Sequence, residues 1–167
     1  MRLISIKIFN RCPPLIKTNS HIAIFCFLMH RLLLQILYAS FVSLRFASQR
    51  EQLPFAAGSF DKVLVDAPCS GTGTLRRNPE IRWRLTPLDF GKFAEQQKLI
   101  LIRAAEMVKP GGRLIYSTCS VEPQENEEVI EEVMARDERF QLVKTRRTWP
   151  QREGCDGFFV AVCSRLS

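Results

Sequence analysis

The stretch FDKVLVDAPCSGTGTLRRNPEIRW, Phe60–Trp83, decides how the fold of this chain is interpreted. It opens on an apolar, β-branched run, Val63–Val65, which predicts a short buried strand. The strand must end before Pro68, which has no backbone N–H to donate to a neighbouring strand. In α/β proteins, ligands collect just beyond the carboxyl ends of parallel strands. The carboxyl group of Asp66 and the thiol of Cys69 are therefore predicted to lie at the edge of an active site.

A second predicted strand delivers another cysteine to the same edge. Lys109-Pro110-Gly111-Gly112 is expected to end a helix, and Arg113–Ser117 to form the next strand. That strand runs directly into Thr118-Cys119-Ser120. Because neighbouring parallel strands end at the same edge of a sheet, we expect Cys69 and Cys119 to lie close together.

Two helices are predicted around these strands. Thr86 as N-cap, Pro87 and Asp89 form a capping sequence for a helix that should run to about Val108. Pro123 begins the second helix. The first turns of this helix carry an acidic run, which we interpret as a solvated face and not as a metal site. The last two strands are expected at Phe140–Lys144 and Gly157–Cys163.

The motifs DAPCSGTG, from Asp66, and STCS, from Ser117, resemble those of the Sun/Nop (RsmB-type) family of RNA cytosine-5 methyltransferases. RRNPEIRW between them, PQENE after them and the late DGFF at Asp156 add to the resemblance, which covers roughly Leu53–Ser164. It implies an α/β fold, namely the second half of a Rossmann-like methyltransferase sheet with flanking helices, ending in an antiparallel hairpin.

The resemblance also implies a reaction and its residues. Enzymes of this family use S-adenosylmethionine and act on RNA, here rRNA or tRNA. A thiolate that adds to cytosine C6 makes C5 nucleophilic, and it leaves by elimination after methylation. By resemblance, Cys119 is the nucleophile, Cys69 assists product release, and Asp66 faces the cofactor or the target base. The alternative for the two cysteines is a structural buried pair or a disulfide.

The net charge of +7 is not evenly distributed. Residues 1–50 carry basic side chains and no acid, whereas residues 51–167 are neutral overall, so the total charge is a poor indicator of RNA binding. A local basic cluster surrounds Trp83 in a segment, 76–85, that we expect to be irregular. Its members, which could bind RNA or form an ordinary solvated loop, are Arg76, Arg77, Arg82 and Arg84.

Residues 1–49 are predicted to be a separate hydrophobic, basic segment, and residues 50–167 a partial methyltransferase domain. Ile22–Met29 and Leu32–Val42 are mostly apolar, but Arg31 lies between them and disfavours a transmembrane helix. An amphipathic or buried helix is the preferred interpretation. A translation-start or reading-frame artefact would also explain a segment with this composition and no resemblance to the family.

The cysteines and histidines exclude other chemistries. No two cysteines have C-x-x-C spacing and neither histidine lies near the motifs, so we expect no metal site. Catalysis by a Ser-His-Asp or Cys-His arrangement needs a histidine, and none follows His30. The pattern is not that of a disulfide-rich secreted domain, and a reducing, cytoplasmic location is expected. Cys155 and Cys163 are interpreted as structural.

The family also carries a glycine-rich turn and acidic residues around the adenosyl part of the cofactor, which this sequence lacks. The chain is therefore predicted to hold the catalytic half of the site in a truncated RNA (cytosine-5) methyltransferase. The alternative is a catalytically inactive remnant that only binds RNA. The oligomeric state is not predicted.

Overall fold

Our computed structural model describes the backbone of residues 4–9 and 41–46 and all of residues 55–167. Within these ranges, six strands form one sheet in the order β2-β1-β3-β4-β6-β5. The strands are β1 (Ile4–Phe9), β2 (Phe41–Phe46), β3 (Phe60–Asp66), β4 (Val108–Thr118), β5 (Phe140–Thr148) and β6 (Phe158–Arg165). The helices are α1 (Ile81–Arg84), α2 (Pro87–Met107), α3 (Glu127–Arg136) and α4 (Pro150–Glu153).

The centre of the sheet has the predicted topology. β3 and β4 run parallel, with Asp66 opposite Ser117 at their carboxyl ends. β6 is antiparallel to β4 and pairs with β5 in an antiparallel hairpin. The sequence of strand, helix, strand, helix, strand, strand from β3 onward is therefore confirmed. It places the two segments that follow β3 and β4 at one edge of the sheet.

The described parts of the first 49 residues are strands, and the prediction of a helical segment is wrong for them. β1 pairs antiparallel with β3, and β2 pairs antiparallel with β1. The sequence Ile4–Phe9 alternates apolar and polar residues, which is the period of a strand and not of a helix. β1 also satisfies the hydrogen-bonding edge of β3 that an isolated half-sheet would leave open. The apolar residues 22–40 lie outside the described residues.

Helix α2 begins with the predicted capping box. The backbone N–H of Thr86 donates to Asp89 Oδ2 at 2.9 Å, and its hydroxyl donates to the same oxygen at 2.8 Å. Hydrogen bonds from Lys92 and Thr86 lower the pKa of Asp89 to about 2. The helix ends at Met107, before the two glycines that were expected to stop it. Those glycines lie instead within β4, near a register shift opposite β3 that accommodates the extra residues.

The core lies where α2 and α3 pack beside the central strands. Leu101 and Ala104 of α2, Val129 of α3 and Val63 of β3 are all fully buried. The short helix α1 lies within the segment 76–85 that was predicted to be irregular, so that prediction is wrong for Ile81–Arg84. None of the helices in the described part of the chain is long and apolar enough to cross a membrane.

Candidate active site

The two motif cysteines meet at the carboxyl ends of the parallel strands. Cys69 follows β3, Cys119 follows β4, and their Sγ atoms lie 3.2 Å apart. Both are free thiols and half-buried. The separation is that of a hydrogen bond between thiols and exceeds the S–S bond length of about 2 Å. The prediction that Cys69 and Cys119 lie together is confirmed, and the alternative of a disulfide is not the form present.

The contact makes the two thiols unequal. The hydrogen bond from the Cys69 thiol stabilises the Cys119 thiolate and lowers the pKa of Cys119. The same hydrogen bond, together with burial, raises the pKa of Cys69 well above its ordinary value. Cys119 is therefore the thiol that ionises first, and a thiolate is the nucleophilic form of cysteine.

Backbone hydrogen bonds fix the position of the cysteine loops. The N–H of Gly73 donates to the carbonyl oxygen of Cys119 at 2.9 Å, which joins the loop after β3 to the loop after β4. The N–H of Gly157 donates in turn to the carbonyl of Gly73 at 2.8 Å. The late DGFF motif, which contains Gly157, is thereby attached directly to the loop that carries Cys69.

One member of the acidic run is buried, and its interpretation as part of a solvated face is wrong. Glu125 is 0% exposed and lies in a 3₁₀ turn before α3. Its carboxylate accepts hydrogen bonds from the backbone and hydroxyl of Ser70, from Ser120 and from Gln97. A buried glutamate and a solvated glutamate carry the same charge and can occupy the same position near a helix start. The sequence pattern therefore did not distinguish Glu125 from its solvated neighbours. Its place in the PQENE motif, five residues after Ser120, was the available signal.

Asp66 ends β3 beside the two thiols. It is half-buried, and the hydroxyl of Ser117 lies 3.5 Å from its Oδ1. Its negative charge opposes ionisation of Cys119, although the hydrogen bond from Cys69 is the larger influence on that pKa. The structure therefore brings Asp66, Cys69 and Cys119 together at one edge.

The four arginines around Trp83 divide into two groups. Arg77 forms an ion pair with the buried Asp156, and Arg76 lies 4.0 Å from the same carboxylate. Asp156 belongs to the DGFF motif, and no sequence pattern indicates that it would pair with these arginines. The other two, Arg82 and Arg84, lie on α1 and are exposed.

Helix α1 is attached to the loop that carries Cys69. Ile81 Cδ1 would lie 3.1 Å from a Cβ atom placed on Gly71, so the helix packs directly on that loop. The indole of Trp83 is 82% exposed on the same helix. α1 thus presents an aromatic ring and two arginines next to the cysteine loops.

The other two cysteines in the described ranges do not belong to the site. Burial raises the pKa of Cys163 to about 11, as expected for a structural thiol within β6. The Cys155 thiol contacts the carbonyl of Asp156 at 3.4 Å. In the described ranges, no cluster of His, Cys, Asp and Glu side chains could hold a metal ion. Cys12, Cys26, His21 and His30 lie outside those ranges.

Comparison with known proteins gives consistent matches. Residues 40–164 match the model of the 16S rRNA methyltransferase RsmB/F family, so the match begins before Leu53 and includes β2. The chain is 41% identical over 112 residues to ribosomal RNA small subunit methyltransferase B of Vibrio cholerae, covering 64% of this chain and 26% of that protein. The chain thus spans about a quarter of the length of this relative.

Two solved structures are also similar to the chain. A methyltransferase homolog protein from Pyrococcus horikoshii is 32% identical, with a TM-score of 0.56, over 65% of this chain and 40% of that one. NSun6 from Pyrococcus horikoshii, solved with SFG, is 27% identical, with a TM-score of 0.58, over 65% of this chain and 31% of that one.

Proposed function

Because this chain belongs to the 16S rRNA methyltransferase RsmB/F family, we propose that it carries the catalytic residues for S-adenosylmethionine-dependent methylation of cytosine C5 in small-subunit ribosomal RNA. The observation that carries the proposal is the 3.2 Å contact between Cys69 and Cys119 at the ends of parallel strands. A reducing, cytoplasmic setting is part of the proposal, since both thiols must stay free to react.

Cys119 is the proposed nucleophile. Its thiolate adds to cytosine C6, the C–S bond forms, and the electron pair of the C5–C6 double bond becomes available at C5. After C5 has been methylated, a base removes the C5 proton, the C6–S bond breaks, and Cys119 leaves as a thiolate. The lowered pKa of Cys119 favours both its attack and its departure, because it stabilises the thiolate.

Cys69 is proposed to assist the departure. Its thiol is held protonated by its raised pKa, and it lies at hydrogen-bond distance from the sulfur that must leave. A proton donor in this position stabilises the negative charge that develops on Cys119 as the C6–S bond breaks.

Asp66 is the residue we propose to hold the cofactor. When bound, S-adenosylmethionine supplies a methyl group on a positively charged sulfonium. A half-buried carboxylate beside the two thiols suits that charge, so the described residues fit the methyl-bearing end of the cofactor. Asp66 would orient this end toward the edge where Cys119 places the base.

Calorimetric titration of the full chain with S-adenosylmethionine, followed by transfer of a labelled methyl group to 16S rRNA, tests the proposal. We expect saturable binding that Asp66→Asn weakens at least about tenfold, as for a lost charge pair. The matched control is Asp61→Asn, which lies on the same strand in an ion pair with Lys109. Salt-sensitive RNA binding by a folded chain with no cofactor affinity would contradict the proposal and support the RNA-binding remnant.

The exposed arginines of α1 are the proposed RNA contacts. We expect Arg84→Ala and Arg82→Ala each to weaken RNA binding and to reduce the slope of log affinity against log salt by about one unit. Arg136→Ala is the control, because Arg136 and Arg84 are both exposed and each pairs with a glutamate four residues earlier. Equal effects of Arg84→Ala and Arg136→Ala in a filter-binding assay would show that α1 is not a specific RNA surface.

A further inference from the structure

We propose that Glu125 is a positioning residue that holds the two cysteine loops at their working separation, an inference that rests on the proposed methyltransferase function. Glu125 does not itself touch either sulfur through a hydrogen bond in the structure. It acts through Ser70 and Ser120, the residues that directly follow Cys69 and Cys119.

The carboxylate connects three separate elements. Oε2 accepts the backbone N–H of Ser70 at 2.8 Å and the side-chain amide of Gln97, on α2, at 3.0 Å. Oε1 accepts the hydroxyls of Ser70 and of Ser120, the latter at 2.8 Å. Gln97 also donates to the carbonyl of Pro68 at 2.9 Å, next to Cys69. This one side chain therefore joins the loop after β3 to the loop after β4, in addition to the backbone hydrogen bond between Gly73 and Cys119.

The backbone around Glu125 is anchored as firmly as its side chain. The Tyr116 hydroxyl donates to the carbonyl of Glu125 at 2.6 Å, and Tyr116 lies on β4, three residues before Cys119. Asn126 accepts the hydroxyl of Thr118 at 2.6 Å and donates to the carbonyl of Ser120 at 3.0 Å. These contacts tie the PQENE motif to both sides of Cys119.

A purely structural role explains this arrangement poorly. The groups that donate to the Glu125 carboxylate in the described structure are neutral, and burying a carboxylate without a cation costs more than burying an apolar side chain. This carboxylate also lies near the two thiols, and its charge works against ionisation of both Cys69 and Cys119. Asp66 also opposes ionisation of Cys119. Burial, and then the charge of Cys69, raise the pKa of Tyr116.

Two substitutions separate position from charge. In Glu125→Gln, the amide oxygen can accept from Ser70 N–H and Gln97, and the amide nitrogen can donate to the two serine hydroxyls, so the loops stay in place. Glu125→Ala removes all four hydrogen bonds. Both variants remove the charge of the carboxylate. A difference between them in cysteine reactivity therefore reports the position of the two cysteine loops and not the charge.

The measurement is the rate at which iodoacetamide alkylates each cysteine, followed by peptide mass spectrometry from pH 6 to pH 10. In the unchanged chain we expect Cys119 to react at lower pH than Cys69. In Glu125→Gln both profiles should move to lower pH, with the ratio of the Cys119 and Cys69 rates kept within about twofold. In Glu125→Ala the ratio at pH 7 should fall at least about tenfold, because the thiol–thiol hydrogen bond is lost.

A folded Glu125→Ala chain with an unchanged rate ratio would overturn the proposal. If that variant does not fold, Ser120→Ala removes one hydrogen bond to the carboxylate, together with the contacts of the same hydroxyl with Ser70, Thr72 and the Glu122 N–H. It should lower the ratio in a chain with unchanged near-UV circular dichroism. An unchanged ratio in Ser120→Ala would overturn it equally. Alkylation needs neither RNA nor cofactor, so a chain that fails to methylate RNA refutes the proposed function and leaves this measurement decisive for Glu125.

Discussion

Replacing Cys119 by alanine is expected to abolish covalent capture of RNA, whereas replacing Cys69 by alanine should leave RNA trapped on the protein. The difference follows from the 3.2 Å contact and from the opposite pKa shifts of the two thiols. Under the proposed roles, Cys119→Ala removes the sulfur that adds to cytosine C6. Without Cys69 the adduct still forms, but the departing thiolate loses its hydrogen-bond donor and the pKa of Cys119 rises toward that of a free thiol.

Denaturing gel electrophoresis of the full chain with labelled 16S rRNA and S-adenosylmethionine measures the trapped fraction. We expect a stable complex with Cys69→Ala and none with Cys119→Ala or with the double variant. The control is Cys155→Ala, because Cys155 is also a free, half-buried thiol but lies outside the pair. Equal and mild effects of the Cys69 and Cys119 substitutions would refute both assignments.

The arrangement of the two cysteines could be predicted because local sequence signals mark the ends of the two strands that carry them. The bounds of β3 follow from one apolar run that a proline ends, and parallel strands place their following loops at one edge. The start of α2 follows from Thr86, Pro87 and Asp89, which act over a single helical turn. In each case the signal lies in residues that are close in the sequence, and the pairing of parallel strands then brings Cys69 to Cys119.

The features that sequence analysis missed depend on long-range contacts. Glu125 is buried because Ser70, which lies far away in the sequence, donates to it from another loop. β1 joins this sheet because β3 and β2 offer hydrogen-bonding partners on either side, although the alternation in Ile4–Phe9 is itself a local strand pattern. Arg77 pairs with Asp156 only after the last strands have folded against the cysteine loop. None of these partners can be identified from spacing or composition.

Replacing Gly73 by alanine should disrupt the packing of the site. A Cβ atom there would lie 2.0 Å from the carbonyl oxygen of Gly157 and 2.9 Å from that of Cys119. Both are backbone atoms that cannot turn aside as a side chain can. The added carbon would also force apart the hydrogen bonds that Gly73 makes with these two residues. We expect a loss of about 3 kcal/mol in the free energy of unfolding, at the upper end of the cost of overpacking.

Urea denaturation of the full chain, followed by circular dichroism, measures this loss against Gly91→Ala. Gly91 lies within α2, and apart from its chain neighbours and the backbone of its own helix no atom lies within 4 Å of its added Cβ. The same chemical change should therefore stabilise the chain by about 0.5–1 kcal/mol through helix propensity. Opposite signs for the two substitutions would show that the cost at Gly73 arises from the close approach of three backbone segments. If Gly73→Ala were as stable as the unchanged chain, the loops after β3 and β4 could not be held together by this contact. Their separation would then depend on the other contacts between the loops, which include those of the Glu125 carboxylate and the hydrogen bond from the Val121 N–H to Thr72.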